Sequence, residues 1–322
     1  MVNNLAAMPR SDVLTDSHGR ILRKLRISIT EACNLRCRYC MPQNAKFAPH
    51  DELVPPDELV EIARGLVDLG IDSIRITGGE PTLRPEFPEI ARGLCGLGVD
   101  VGLTTNGFRL AELAQDLARF GLQGANVSLD SLSPDNFRRL ARGGSLDTVL
   151  AGIRAAQDAG LSVKINMVVM RGWNDHEIEA FHDFSVEHDV EVRFLELMRI
   201  GEALAFFDER FFPASEMLSR LQAHSPLHEI PVDHDATAFR RVSEAGARLG
   251  FIASESRPFC SGCSRLRLSA KGALRSCLFK EDSVSLRGVS RQNLSNVVRQ
   301  VVDLKPLGRI TSIGQAMHTI GG

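Results

Sequence analysis

The sequence predicts an α/β protein: an incomplete (β/α)6 barrel of TIM type, with a smaller C-terminal domain closing its open side. Three observations predict it. β-rich runs alternate with helical runs six times between residues 25 and 197, which calls for parallel strands joined by crossover helices. The right-handed crossover rule then leaves a doubly wound sheet or a barrel. Polar and charged residues gather toward the ends of successive strands, where a (β/α) barrel places its chemistry.

Each element has a local reason. Residues 1–20 read as an arm, polar and without period. Leu25–Ile29 reads as the first strand. Asp57–Leu69 reads as a helix because Pro55-Pro56 precedes it and Gly70 follows it. Strand Ile74–Thr77, helix Pro85–Leu97, strand Asp100–Thr105 and helix Arg109–Phe120 continue the alternation, and Gly98 and Gly121 stop the two helices. Strand Asn126–Leu129 leads to helices Pro134–Ala141 and Leu146–Ala159. Strand Ser162–Met170, helix Asp175–Glu187 and strand Val190–Leu197 complete six units. The expected organisation is an arm over 1–20, a barrel over 21–215 and a second domain over 216–322.

Composition bounds the function. Apolar residues at 43% and charged residues at 24% of 322 exclude disorder over the whole chain. The balance of 38 basic and 40 acidic residues argues against nucleic acid as a partner. No apolar run reaches the roughly 18 residues that span a bilayer, and the first residues lack a signal-peptide core, so no membrane association and a cytoplasmic location are expected. Thiols stay reduced there, so the seven cysteines suggest metal ligands or catalysts over disulfides.

Cys33, Cys37 and Cys40 follow the first strand as Cys-x3-Cys-x2-Cys. Three soft thiolates on one loop suit zinc or an iron–sulfur cluster. A structural zinc prefers four ligands, and no fourth lies close by. A cubane held by three cysteines keeps one iron open to substrate or cofactor. Cys260-x2-Cys263 with Cys277 repeats the pattern and reads as a second such cluster, with zinc completed by a histidine as the alternative. Beside it, Arg265-Leu266-Arg267 puts two guanidiniums on one side of an extended segment, suited to phosphate or a nucleobase acceptor. Arg26, Arg75, Lys164 and Arg193 on four barrel strands suggest a polyanion pocket.

The first cysteine motif and Gly78-Gly79-Glu80-Pro81 after the second strand resemble the radical S-adenosylmethionine superfamily. With the second trio, Asp16–Arg20, Arg265, Arg267 and the terminal Gly321-Gly322, the chain resembles the GTP 3′,8-cyclases that open molybdenum cofactor biosynthesis. The likeness runs from about residue 18 to the end. It implies two 4Fe-4S clusters and S-adenosyl-L-methionine as cofactors. It implies that a 5′-deoxyadenosyl radical takes hydrogen from C3′ of GTP, giving 3′,8-cyclo-7,8-dihydroguanosine triphosphate. It assigns Tyr39, Gly79, Glu80, Ser128 and Met198 to S-adenosylmethionine. Arg26, Arg75, Thr104, Lys164, Arg265, Leu266 and Arg267 fall to GTP, and Arg193 is added for phosphate. Arg265, Arg267, Gly321 and Gly322 are the expected catalytic set.

The resemblance also implies an external electron donor and hand-off of product to cyclic pyranopterin monophosphate synthase, and it allows a homodimer. Two alternatives stand beside it: a radical enzyme that uses its auxiliary cluster on a peptide, and a zinc-stabilised binding module.

Overall fold

The computed structural model describes residues 13–320. Six strands follow the chain in order through one sheet: β1 (Lys24–Ser28), β2 (Ser73–Thr77), β3 (Asp100–Thr105), β4 (Gly124–Ser128), β5 (Ser162–Val169) and β6 (Glu191–Glu196), all parallel. The helices between them are α1 (Pro56–Asp68), α2 (Phe87–Cys95), α3 (Leu110–Phe120), α4 (Pro134–Ala141), α5 (Leu146–Asp158) and α6 (Ile178–Glu187).

Alternation along each strand sorts the residues. Leu25, Ile27, Ile74, Ile76, Val101 and Leu103 are buried in the main core with Leu59, Leu66, Ile90, Leu94 and Leu117 of the helices. The intervening positions, such as Arg26, Arg75 and Thr104, face the other side. That side is the barrel interior.

Beyond α7 (Phe207–Arg210) and α8 (Ala214–His224), the chain adds to both edges of the same sheet. The antiparallel strands β7 (Leu227–Ile230), β8 (Phe239–Ser243) and β9 (Arg248–Ile252) extend it beyond β6, with β9 parallel to β6. β10 (Arg265–Leu268) pairs parallel to β1 at the opposite edge and leads to β11 (Ala273–Arg275) and β12 (Val284–Ser285). The C-terminal part therefore flanks the open barrel on both sides. Helix α9 (Arg291–Asp303) then packs on α1, where Gly65 leaves room: a Cβ there would lie 2.2 Å from Leu294. The short α10 (Met317–Ile320) ends the described chain.

Residues 13–20, expected to belong to a loose arm, are instead packed. Leu14 is fully buried in the main core, and Leu22 N–H donates to its carbonyl (2.8 Å). Arg20 and Asp16 form a buried ion pair (2.6 Å). The sequence signal failed here because a single apolar anchor in a polar stretch has no period. Replacing Leu14 by Ala should cost about 2–4 kcal/mol in urea unfolding, as core leucine truncations do. A loss below about 0.5 kcal/mol would show the segment to be unattached.

Candidate active site

Cys33, Cys37 and Cys40 lie on the loop after β1, and Cys260, Cys263 and Cys277 lie on the segments before and after β10 and β11. All six line one cavity at the mouth of the open barrel. The first loop is fastened to the loop after β2 by two backbone bonds: Gly79 N–H to Thr30 O and Glu80 N–H to Ala32 O, both 2.7 Å. That close approach needs glycine. A Cβ on Gly79 would sit 2.3 Å from the Glu31 carbonyl, and one on Gly78 2.6 Å from that of Thr30.

Glu80 locks the next strand. Its buried carboxylate accepts from Thr82 Oγ1 (2.5 Å), Thr105 Oγ1 (2.7 Å) and Asn106 N–H (2.6 Å). Among the described residues Oε1 takes three donors, whereas Oε2 takes the Asn106 amide alone, which leaves it capacity to accept from an ammonium group. Asn106 in turn reaches Asn34 Oδ1 (2.7 Å) and Cys33 Sγ (3.9 Å).

The donor chemistry discriminates between metals. Tetrahedral zinc with Zn–S near 2.3 Å brings sulfurs to about 3.8 Å of one another. Among the described residues, the only three His, Cys, Asp or Glu side chains whose ligand atoms all lie within 4.8 Å are His182, Asp183 and His224, far from either trio in sequence. Both cysteine trios are spread more widely than a single ion needs and fit a larger cluster. The His182 group is a hydrogen-bond chain. Ser243 Oγ accepts from Ala247 N–H (3.0 Å), which leaves its proton for His182 Nε2 (2.8 Å), and His182 Nδ1–H then faces Asp183 (2.8 Å).

The two trios sit in different fields. Burial pushes the Cys37 thiol well up and Cys40 up to about 12; Asp130 and the neighbouring cysteines add to both shifts. At the second trio, burial also opposes ionisation, but Arg265 and Lys305 outweigh it and hold Cys263 down at about 6. Arg265 donates to Cys263 Sγ (3.5 Å) and Thr237 Oγ1 (2.8 Å) and stacks on Phe259.

The interior face carries the cations in register. Arg267, Arg26 and Arg75 are direct partners across β10, β1 and β2. Arg26 has no hydrogen-bond or ion-pair partner among the described residues. Burial, then the nearby Arg267, Arg265, Arg75 and Arg193, push its pKa well down. Arg75 lies across Gly102, donates to Leu103 O (3.1 Å), and is lowered to about 10 by burial and Arg193. On β5 and β6, Lys164 and Arg193 share Glu191 (3.9 and 2.6 Å), which also pairs with Arg240. Lys164 is lowered to about 8 by burial and Arg193. Around so many guanidiniums, one carboxylate leaves a positive excess that a polyanion would offset.

Most of the predicted set converges. Tyr39, Gly79, Glu80, Ser128, Met198, Arg26, Thr104, Arg193, Arg265 and Arg267 line the cavity with the six cysteines. Thr104 Oγ1 is buried without a partner. Arg75 and Lys164 share the interior face but do not form the cavity wall. The Leu266 side chain is fully buried in the main core, on the side opposite the flanking arginines, so only its backbone could serve a ligand. Gly321 and Gly322 lie outside the described residues. Cys95 is half-buried against the core, and burial pushes its thiol up to about 11.

Sequence reasoning gave no role to several wall residues. Asn166 Oδ1 and the Ser254 and Ser276 hydroxyls are buried without partners, and all three residues line the cavity. Asp130 accepts from Tyr39 Oη and from Val168 N–H, both 2.9 Å. For Asn166 and Asp130 the available signal was a polar residue at a strand end.

Two family models match the chain in succession. Residues 27–185 match the Radical SAM superfamily and residues 190–309 match Molybdenum Cofactor Synthesis C. The fold resembles the crystal structure of Streptococcus suis SuiB bound to S-adenosylmethionine, with a TM-score of 0.59 at 15% identity, over 88% of this chain and 69% of that one. The protein is therefore a radical S-adenosylmethionine enzyme by fold and by cysteine motif. Among curated proteins, a GTP 3′,8-cyclase of Synechocystis is 42% identical over 98% of this chain and 97% of its own. One of Peptoclostridium acidaminophilum is 40% identical over 98% of this chain and 100% of its own. The chain belongs to the GTP 3′,8-cyclase family.

The field at the first trio gives a pH test. Burial, with Glu177, raises Asp130 from 3.8 to about 6 despite its two hydrogen bonds. A raised carboxyl stabilises the fold below its unfolded pKa, and that stability is lost as pH rises through about 6. In the metal-free protein, Asp130→Asn should therefore gain stability relative to the parent between pH 4.5 and 7.5, by about 1–3 kcal/mol in urea unfolding. A difference independent of pH would contradict this placement of Asp130.

Proposed function

We propose that this chain converts GTP to 3′,8-cyclo-7,8-dihydroguanosine 5′-triphosphate, the first step of molybdenum cofactor biosynthesis. The observation that carries the reading is that Arg267 and Arg26, in register with Arg75, line the same cavity as both cysteine trios. A triphosphate brings about four negative charges, which suits that row; a peptide backbone brings none. The curated relatives carry the name of this activity over nearly their whole length.

Cys33, Cys37 and Cys40 would hold a 4Fe-4S cluster, and Cys260, Cys263 and Cys277 a second. With S-adenosylmethionine bound, the first cluster supplies one-electron cleavage chemistry and hence a carbon-centred radical. The residues of the chain do the rest. Gly79 and Glu80 present a carbonyl and a free carboxylate lone pair for the methionine ammonium, while Tyr39, Ser128 and Met198 wall the adenosine side. Arg26 and Arg193 hold the phosphates from the cavity wall, Arg75 and Lys164 on the same interior face reach toward them, and together they fix the ribose toward the first trio. Arg265 and Arg267 hold the guanine end toward the second, where an open iron could receive it. Met198 packs with Leu278, Ile313 and Ile320, so the C-terminal tail closes the wall between the two trios and helps to exclude water.

An external electron donor, hand-off to cyclic pyranopterin monophosphate synthase and a cytoplasmic site of action belong to the same reading. No helix among the described residues is long and apolar enough to cross a membrane.

Anaerobically reconstituted protein should hold about eight irons, two cubanes' worth. With reductant and S-adenosylmethionine it should release 5′-deoxyadenosine only when GTP is present. Arg26→Ala should raise KM for GTP about 10–100-fold, the usual range for a lost charged hydrogen bond. Release that ignores GTP would remove GTP as the substrate.

A further inference from the structure

Lys305 follows α9 and is the only lysine buried among the described residues, at 3% exposure. Its Nζ donates to two backbone carbonyls, Arg265 O and Ser276 O, each at 2.7 Å. Arg265 stands two residues after Cys263, and Ser276 immediately precedes Cys277. One ammonium thus ties together the two segments that present these thiols.

The carbonyls satisfy two of the three N–H donors but not the charge. No carboxylate pairs with Lys305 among the described residues. The strongest opposite charges acting on it are those of Cys263 and Cys277, against the like charges of Arg265 and Arg20. A buried ammonium without a counter-ion is costly. The structure therefore makes sense if the counter-ion is the thiolate trio itself.

The surrounding contacts serve the same end. Arg20 donates to Cys260 O (2.7 Å) and Pro306 O (2.8 Å), linking the Cys260 loop to the residue beside Lys305. Arg265 donates to Cys263 Sγ. Arg20, Arg265 and Lys305 thus fasten the positions of Cys260, Cys263 and Cys277 respectively. Arg20 has Asp16 as its own counter-ion, and Arg265 is spread over Thr237 and Phe259. Lys305 is the most buried of the three cations, and among the described residues no carboxylate offsets its charge. The first trio differs: it faces the carboxylates Glu80 and Asp130 as well as Arg36.

We propose that Lys305 is the resident counter-charge of the second cysteine trio, a positioning residue that allows three thiolates to gather a cluster there. The proposal rests on the two-cluster reading above. Two variants separate its charge from its hydrogen bonds. Lys305→Gln keeps amide donors for the two carbonyls and loses the charge, whereas Lys305→Met loses both.

Each full-length chain is reconstituted anaerobically with iron and sulfide, then assayed for iron content and by EPR after reduction. The parent should hold about eight irons, and both variants about four, with only the first cluster's signal left. Gln retaining about eight irons would overturn the proposal, whether Met also retains them or loses half. A Gln variant that binds no iron at all would likewise overturn it, because the effect would not be selective. If the parent itself holds only about four, it is the two-cluster reading that fails.

Discussion

Like charge held at close quarters is the constraint on which the site depends. Arg267, Arg26 and Arg75 are direct neighbours across hydrogen-bonded strands, so the sheet holds their backbones in one row and brings three guanidiniums to one face. The sheet is held by its other face, where Leu25, Ile27, Ile74, Leu266 and Leu268 are buried against helices. Hydrophobic burial on one side thus supports an electrostatic cost on the other. Such an arrangement persists when function requires it, and a ligand rich in phosphate is what would relieve it.

The same division of labour appears at the cysteine loops. Glycines at 78 and 79 let two loops touch through their backbones, and Glu80 ties the joint to the end of β3 through Thr105 and Asn106. The thiols at 33, 37 and 40 are thereby positioned by groups that also form the pocket wall for a small ligand. At the far side of the cavity, Arg265 and Lys305 surround the second trio with positive charge. Both sets are trios, but the first faces the carboxylates Glu80 and Asp130 and the second the cations Arg265 and Lys305.

Much of this was legible in the sequence. The six strand–helix units follow from periodicity and from Pro and Gly punctuation, and α1 shows both signals in Pro56 and Gly70. The two cysteine spacings and the alternating Arg265 and Arg267 announce their chemistry in a few residues. What escaped depends on long-range pairing. The strands of the C-terminal part are short, between two and five residues, and nothing local says that β9 and β10 join opposite edges of the first sheet. Lys305 lies 28 positions beyond Cys277, just past the end of α9, so its place beside that thiol appears only in three dimensions. The anchoring of Leu14, and the core-facing side chain of Leu266 between two cavity arginines, became clear in the same way.

The central claim is that one cavity, walled by both sulfur trios and by Arg26 and Arg267, holds the nucleotide between the trios. An anaerobic crystal structure of the reconstituted protein soaked with S-adenosylmethionine and GTP tests it most directly. The account predicts iron at both trios, S-adenosylmethionine against Gly79 and Met198, and the triphosphate on Arg26 and Arg75 with guanine toward Cys277. A nucleotide seated elsewhere, or a fourth protein side chain completing either metal centre, would contradict it.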